Sequence, residues 1–279
     1  MNTQNATSEI VSKSLATLAE ALEAGNSAAL TAYLSVMARF HRYSWANCLL
    51  IAVQRPNATH VAGFRAWLGL GRHVRKGEKG IAILAPIITK CKWDKKDEQH
   101  RDNSSTAEAV EHLVGFRSAY VFDISQTHGE DLPEFATVRG EPNEYLQRLK
   151  AFVASHAIML DYDAAIAPAK GVSLGGRIAL LPNQPAAQEF STLVHELAHE
   201  KLHRTERRIE TTKTIRETEA EAVAFVVCHG IGLDTNSAAA DYIKLYNGNR
   251  ATLSDSLHFI QSTAAEILTA LQNGADPAQ

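Results

Sequence analysis

The chain has 279 residues, 45% of them hydrophobic and 21% charged, and its 28 basic and 31 acidic side chains leave a net charge of -3. Such a composition suits one large domain or two small ones and excludes a uniformly basic nucleic-acid binder, so any DNA contact must come from a local patch. Cys48, Cys91 and Cys228 lie far apart with no C-x-x-C spacing, no apolar run approaches a bilayer crossing, and "MNTQNATSE" lacks the order of a signal peptide; a cytoplasmic protein outside the membrane is expected.

In chain order, Ile10, Val11, Leu15, Leu18, Ala19 and Leu22 keep a helical stripe that ends near Gly25. "SAALTAYLSVMARF" and "YSWANCLLIAVQRP" continue as helical segments. "GIAILAPIITKCKW" and "LVGFRSAYVFDIS", rich in β-branched and aromatic residues, read as strands. Between them, residues 94–112 are charged and aperiodic, which predicts an exposed insertion. Residues 129–143 collect Gly129, Pro133, Gly140 and Pro142 and read as a linker between domains at 1–128 and 144–279. The second domain opens with a helix near 143–156 and the strand "GGRIALLP". It closes with a helix bearing Leu253, Leu257, Ile260, Ala264, Ile267, Leu268 and Leu271 at spacings of three and four. The fold class expected is α+β.

"STLVHELAHEKLH" (191–203) places His195, His199 and His203 at four-residue intervals. Residues four apart share a helix face, so His195 and His199 can grip one ion, and Zn2+ accepts imidazole while leaving a position for water. Glu196, about 100° round the helix, suits a general base acting on that water. His203 is expected behind the ligands or in a structural role. The third ligand is sought in "RETEAEAVAFVVCHG" (216–230), in the order Glu221, Glu217, Glu219. Glu221 stands alone among apolar residues, Glu217 could orient a ligand histidine, and Glu219, about 160° from Glu221, is expected in solvent. Zinc, Glu196 and a nearby strand edge in "GVSLGGRIALLP" together predict peptide-bond hydrolysis, with Tyr242 as the candidate to hold the oxyanion.

From Arg65 to Arg101 ten basic residues face four acidic ones, a local excess of six positive charges. "GFRAWLGLGRHVRKGEKG" sets Phe64 and Trp67 among Arg65, Arg72, Arg75 and Lys76, a mixture suited to single-stranded nucleic acid, where cations take phosphates and rings take bases. A solvated basic face over core aromatics is the alternative.

"YSWANCLLIAVQRPNATHVAGFRAWLGLGRHVRKGEKGIAILAPI", "YVFDISQT", "LVHELAHEKLH", "RETEAEAVAFVVCHGIGLDT" and "ADYIKLYNG" resemble, in order, the motifs of ArdC-type antirestriction proteins. The resemblance implies an N-terminal domain that binds single-stranded DNA, here through Tyr43, Trp45, Arg65, Trp67, Arg72, Arg75, Lys76 and Lys79. It also implies a mainly helical, zincin-like C-terminal domain with a small sheet, similar to SprT and ImmA/IrrE metallopeptidases. By that resemblance His195, His199 and Glu221 hold zinc and Glu196 is the base, although Val223 stands where the E-A-N-x-F-A pattern has asparagine. The function implied is protection of incoming plasmid DNA from restriction. A DNA-dependent protease acting on DNA-bound or crosslinked proteins, and a binding protein with a structural zinc, are the other two expectations. No oligomeric state is specified by these patterns.

Overall fold

Leu253, Leu257, Ile260, Ala264, Ile267, Leu268 and Leu271, the stripe expected near the C-terminus, share the inner face of one helix, and none has exposed surface. The computed structural model describes residues 3–26, 28–91, 110–130, 142–233 and 250–273. Each buried leucine or isoleucine contributes about 2 kcal/mol, several times the few tenths at stake in helix propensity, so packing fixes this helix.

The architecture is α+β. Helices α1 (Thr3–Glu23), α2 (Ala28–Arg39) and α3 (Trp45–Gln54) precede β1 (Val61–Gly63), the short α4 (Phe64–Gly69) and β2 (Arg72–Val74). A long antiparallel hairpin, β3 (Ile81–Cys91) with β4 (Val110–Asp123), is bulged between Ile87 and Ile88 and adds β1 on its other side, in the order β1-β4-β3. β2 pairs with β5 (Thr127–Gly129). Then come α5 (Asn143–Ser155), β6 (Met159–Tyr162), β7 (Gly171–Ser173), β8 (Arg177–Leu180), α6 (Ala186–Leu202), α7 (Thr205–Glu210), α8 (Lys213–Gly230) and α9 (Arg250–Asn273). β8 is the centre of a second sheet, parallel to β6 and antiparallel to β7.

The expected exposed insertion is shorter at its end than the sequence suggests. Val110, Glu111 and His112 are strand residues opposite Cys91, Lys90 and Thr89, because backbone pairing across a hairpin accepts polar side chains. Residues 94–109 of that insertion, and 131–141 of the expected linker, lie outside the described residues. One apolar cluster runs from Leu18 through α2, α3, α6 and α8 to Leu271, so both parts of the chain share a core. Gln261 of α9 carries that continuity in hydrogen bonds, donating to the carbonyls of His41 and Tyr43. Among the described residues no helix is long and apolar enough to cross a membrane.

Side-chain amides join α3 to the hairpin. Asn47 both donates to and accepts from the backbone of Leu84, and Gln54 does the same with Ala82, so the two amides stand in for a neighbouring strand. At the end of β4, Asp123 accepts from the backbone N–H of Thr59, His60 and Ser125, and from the Ser125 hydroxyl. Gln126, fully buried, closes the box by accepting from Asp123 N–H and donating to Glu78 and to the carbonyl of Lys79. Burial alone would raise the Asp123 carboxyl, but hydrogen bonds from Ser125, Thr59 and His60 hold it below the usual carboxylate range.

Replacing Asp123 with alanine strands these donors, and a loss of about 3 kcal/mol is expected in urea unfolding at neutral pH. Because its folded pKa is lowered, Asp123 contributes fully above the unfolded carboxylate value of about 3.9. That contribution disappears as pH falls through the lowered folded value, so wild type and Asp123→Ala should converge in acid. A difference below about 0.5 kcal/mol at pH 7, within the range of ordinary surface changes, would remove Asp123 from this role.

Candidate metal centre

α6 buries Phe190, Leu193, Val194, Leu197, Ala198 and Leu202 against the core, which leaves its histidines along the side that meets α8. His195 Nε2 lies 3.1 Å from His199 Nε2, and Glu217 Oε2 of α8 lies 3.5 Å from each. A tetrahedral zinc with bonds of about 2.0–2.1 Å sets its ligand atoms roughly 3.4 Å apart, so the triangle has the size of one face of such a site. His195, His199 and Glu217 form a possible metal-binding group.

The charges around the group also call for a cation. Burial by itself would lower the His195 imidazolium, but Glu217 and Glu221 carry it up to about 9. Burial and the adjacent His195 charge push His199 down to about 4, and hydrogen bonding to His195 takes Glu217 down to about 2. A positive charge is thus held between two imidazoles and a carboxylate.

Of the two carboxylates ranked first for the third ligand, Glu217 stands in this group and Glu221 stands beside it. Glu221 Oε2 is 3.4 Å from His195 Nδ1, the nitrogen turned away from His199, while Glu217 takes the place between the two Nε2 atoms. On a helical wheel Glu217 and Glu221 share one face, so only the level at which α6 crosses α8 chooses between them. The expectation for Glu219 is corrected, since it is fully buried rather than solvated. α8 packs against α6, α2 and α9, so its side opposite Glu221 meets protein. There Glu219 accepts from His203 Nε2 at 2.9 Å, Arg207 Nη2 at 2.5 Å and Ser256 Oγ at 2.6 Å. Burial would raise this carboxyl, but these three donors hold it low. His203 Nδ1 in turn lies 3.0 Å from His199 Nδ1, so a chain of contacts runs from Glu219 through His203 to His199. If His199 Nε2 is a ligand, its Nδ1 carries the proton, His203 Nδ1 accepts it, and His203 Nε2–H donates to Glu219.

Glu196 is 8% exposed and its carboxyl is raised chiefly by burial. β7 lies directly over it: a Cβ at residue 171 would stand 2.7 Å from Thr192 Cγ2 and 2.8 Å from Glu196 Cγ, so Gly171 is what permits the approach. Glu200, which the motif pattern does not single out, fastens the β7–β8 turn to α6. It accepts from Ser173 Oγ at 2.6 Å, from the N–H groups of Gly175 at 2.8 Å and Gly176 at 2.7 Å, and from Arg204. An S-x-G-G sequence facing a helix glutamate was the available signal, but that meaning needs the contact. The metal group, Glu196 and β7 border a cleft of about 300 Å³ whose other lining includes Arg208, Lys213 and Arg216. Tyr242 lies outside the described residues.

The expected DNA contacts divide by exposure. Arg65, Arg75, Lys76 and Lys79 are exposed. Trp67 is 1% exposed with its Nε1–H on the carbonyl of Phe122, so the expectation that its ring stacks on a base is corrected. Arg72 is buried too, bound to Thr127 Oγ1 and the carbonyls of Gly129 and Glu130, and is occupied in holding β2 to β5. Tyr43 and Trp45 are half-buried and pack on the core, Tyr43 edge-on to Phe40. Among the described residues, exposed aromatic rings of this region include Phe64, Phe116 and Tyr120, and of these three Phe64 stands in the basic aromatic motif.

Residues 2–122 match the N-terminal domain of anti-restriction factor ArdC. An uncharacterised protein of Bacillus anthracis is 28% identical over 84% of this chain, which spans 46% of that relative's length. Two crystal structures of the antirestriction protein ArdC from the R388 plasmid share the fold. The metal-free form has a TM-score of 0.51 at 18% identity, covering 98% of both chains. The Mn(II)-bound form has a TM-score of 0.53 at 17% identity, covering 95% of this chain and 99% of that one. Residues 2–122 are thus similar to the N-terminal domain of anti-restriction factor ArdC, and the chain has the fold of the R388 protein.

Proposed function

We propose that this chain is an antirestriction protein that binds single-stranded DNA through its N-terminal part, carries a zinc peptidase centre on α6 and α8, and protects incoming DNA of a mobile element. The observation that carries the reading is the triangle of His195, His199 and Glu217 with Glu196 beside it under a strand edge. When bound, a divalent metal supplies Lewis acidity to a carbonyl and to water. Glu196, with its raised carboxyl, takes a proton from the attacking water and returns it to the departing amine. Glu221 holds His195 at Nδ1, and His203 holds His199 in the same way. β7, the last strand of its sheet, accommodates an extended peptide backbone. The donor set of two imidazoles and one carboxylate suits Zn2+, and the Mn(II) form of the R388 protein makes Mn2+ the first ion to compare.

Purified protein is expected to hold one equivalent of metal by elemental analysis. Glu217→Ala should lose it, whereas Glu221→Ala should weaken affinity about 10- to 100-fold, as for a residue that orients a ligand. The reverse order would restore Glu221 as the third ligand. Glu196→Gln should keep the metal and lower peptide cleavage by about 10²- to 10⁴-fold. Carried into a transformation-protection assay, the same variant separates the roles: retained protection means that antirestriction does not need peptidase chemistry.

For DNA, fluorescence anisotropy with a labelled oligonucleotide should show salt-sensitive binding that prefers single strands. Arg75→Ala with Lys76→Ala should reduce the slope of log affinity against log salt by about 1.4 if each cation neutralises one phosphate. Equal or tighter duplex binding would sink the single-strand reading.

A further inference from the structure

The residues lining the cleft include one apolar side chain, Val172, and three cations, Arg208, Lys213 and Arg216. The cations come from α7 and the first turn of α8, while β7 borders the same cleft. Arg216 Nη1 donates to the carbonyls of Arg208 and Thr211, which pins the α7–α8 turn and holds the backbone of Arg208 at the rim. Arg208 and Lys213 are exposed and form no ion pair among the described residues. Glu196 and Glu217 also face the cleft, and a divalent cation at the histidines would offset their two charges and leave the rim positive.

We propose that the cleft selects an extended peptide with an acidic side chain next to the scissile bond, its backbone along β7 and its carboxylate against Arg208 and Lys213. The proposal rests on the peptidase reading and names its substrate class. Among the described residues Val172 is the lone apolar side chain in the lining, so charge is the discriminator that these residues offer. A phosphodiester would meet the same cations but has no use for a strand edge, whereas a peptide pairs with one through its own N–H and C=O groups. Gly171, which brings β7 down onto Glu196, puts that edge and the base within reach of one bound segment.

The test measures binding apart from cleavage, using the full metal-loaded chain as the Glu196→Gln variant. Fluorescein-labelled decapeptides of alanine with two glutamates, two glutamines or two lysines at the centre are titrated by anisotropy at low salt. The glutamate peptide should bind about tenfold tighter than the lysine peptide, as expected for two partly exposed ion pairs. Arg208→Glu with Lys213→Glu should reverse the order, and the milder Arg208→Gln with Lys213→Gln should erase it. Metal content and circular dichroism verify that these variants are folded. Equal affinity for the three peptides, or an order unchanged by the charge reversal, overturns the proposal. An oligonucleotide that displaces the glutamate peptide, and loses that ability on charge reversal, overturns it too and assigns the cleft to nucleic acid. If wild type cuts none of the peptides while the charge order holds, the peptidase reading fails and the anionic preference stands. Cleavage by wild type that is indifferent to peptide charge keeps the peptidase reading and overturns the anionic preference.

Discussion

Glu219 has no exposed surface, yet it holds His203, Arg207 and Ser256 at once. Those partners belong to the end of α6, to α7 and to α9, so one carboxylate on α8 ties four helices together. An isolated charge in such a place would cost several kcal/mol, and its three donors are what make the burial tolerable. Because His203 also touches His199, the same interaction sets the orientation of the histidine helix. Arg207, stacked over the Phe259 ring at 3.6 Å, extends the network to a second point on α9. Everything around the metal group hangs on this arrangement.

A second buried carboxylate performs the matching task on the other side of α6. Glu200 holds the β7–β8 turn through Ser173, Gly175 and Gly176, and Gly171 lets β7 lie against Glu196. Helix and strand edge are therefore fixed relative to each other by hydrogen bonds and by a close approach that any Cβ would spoil. The cleft between them keeps its shape because both borders are anchored to one helix, which is the condition for pre-organised chemistry.

The N-terminal part shows how some members of a motif can be structural. Asn47 and Gln54 clamp β3, Asp123 and Gln126 lock the end of β4 to the turn at residues 78 and 79, and Trp67 and Arg72 are buried in the joints between elements. Among the described residues, the cations Arg65, Arg75, Lys76 and Lys79 and the rings Phe64, Phe116 and Tyr120 are exposed in the outer layer. The mixture of rings and charges read from composition is present, but its members are sorted between core and surface by packing.

The sequence by itself determined the α+β class, the helices with a clear 3.6-residue stripe, the strands at 81–91 and 177–180, and the pairing of His195 with His199. Each follows from a local period, because side-chain direction along a helix or strand is set by the backbone alone. Tertiary structure decided the rest. Glu217 rather than Glu221 stands between the imidazoles because two helices cross at one level and not at the next, and spacing within α8 carries no record of that. Glu219 is buried because α9, far along the chain, covers its side of α8. Trp67 and Arg72 turn inward because β4 and β5 offer them carbonyls and a hydroxyl, partners that lie more than fifty residues away and that no local pattern specifies.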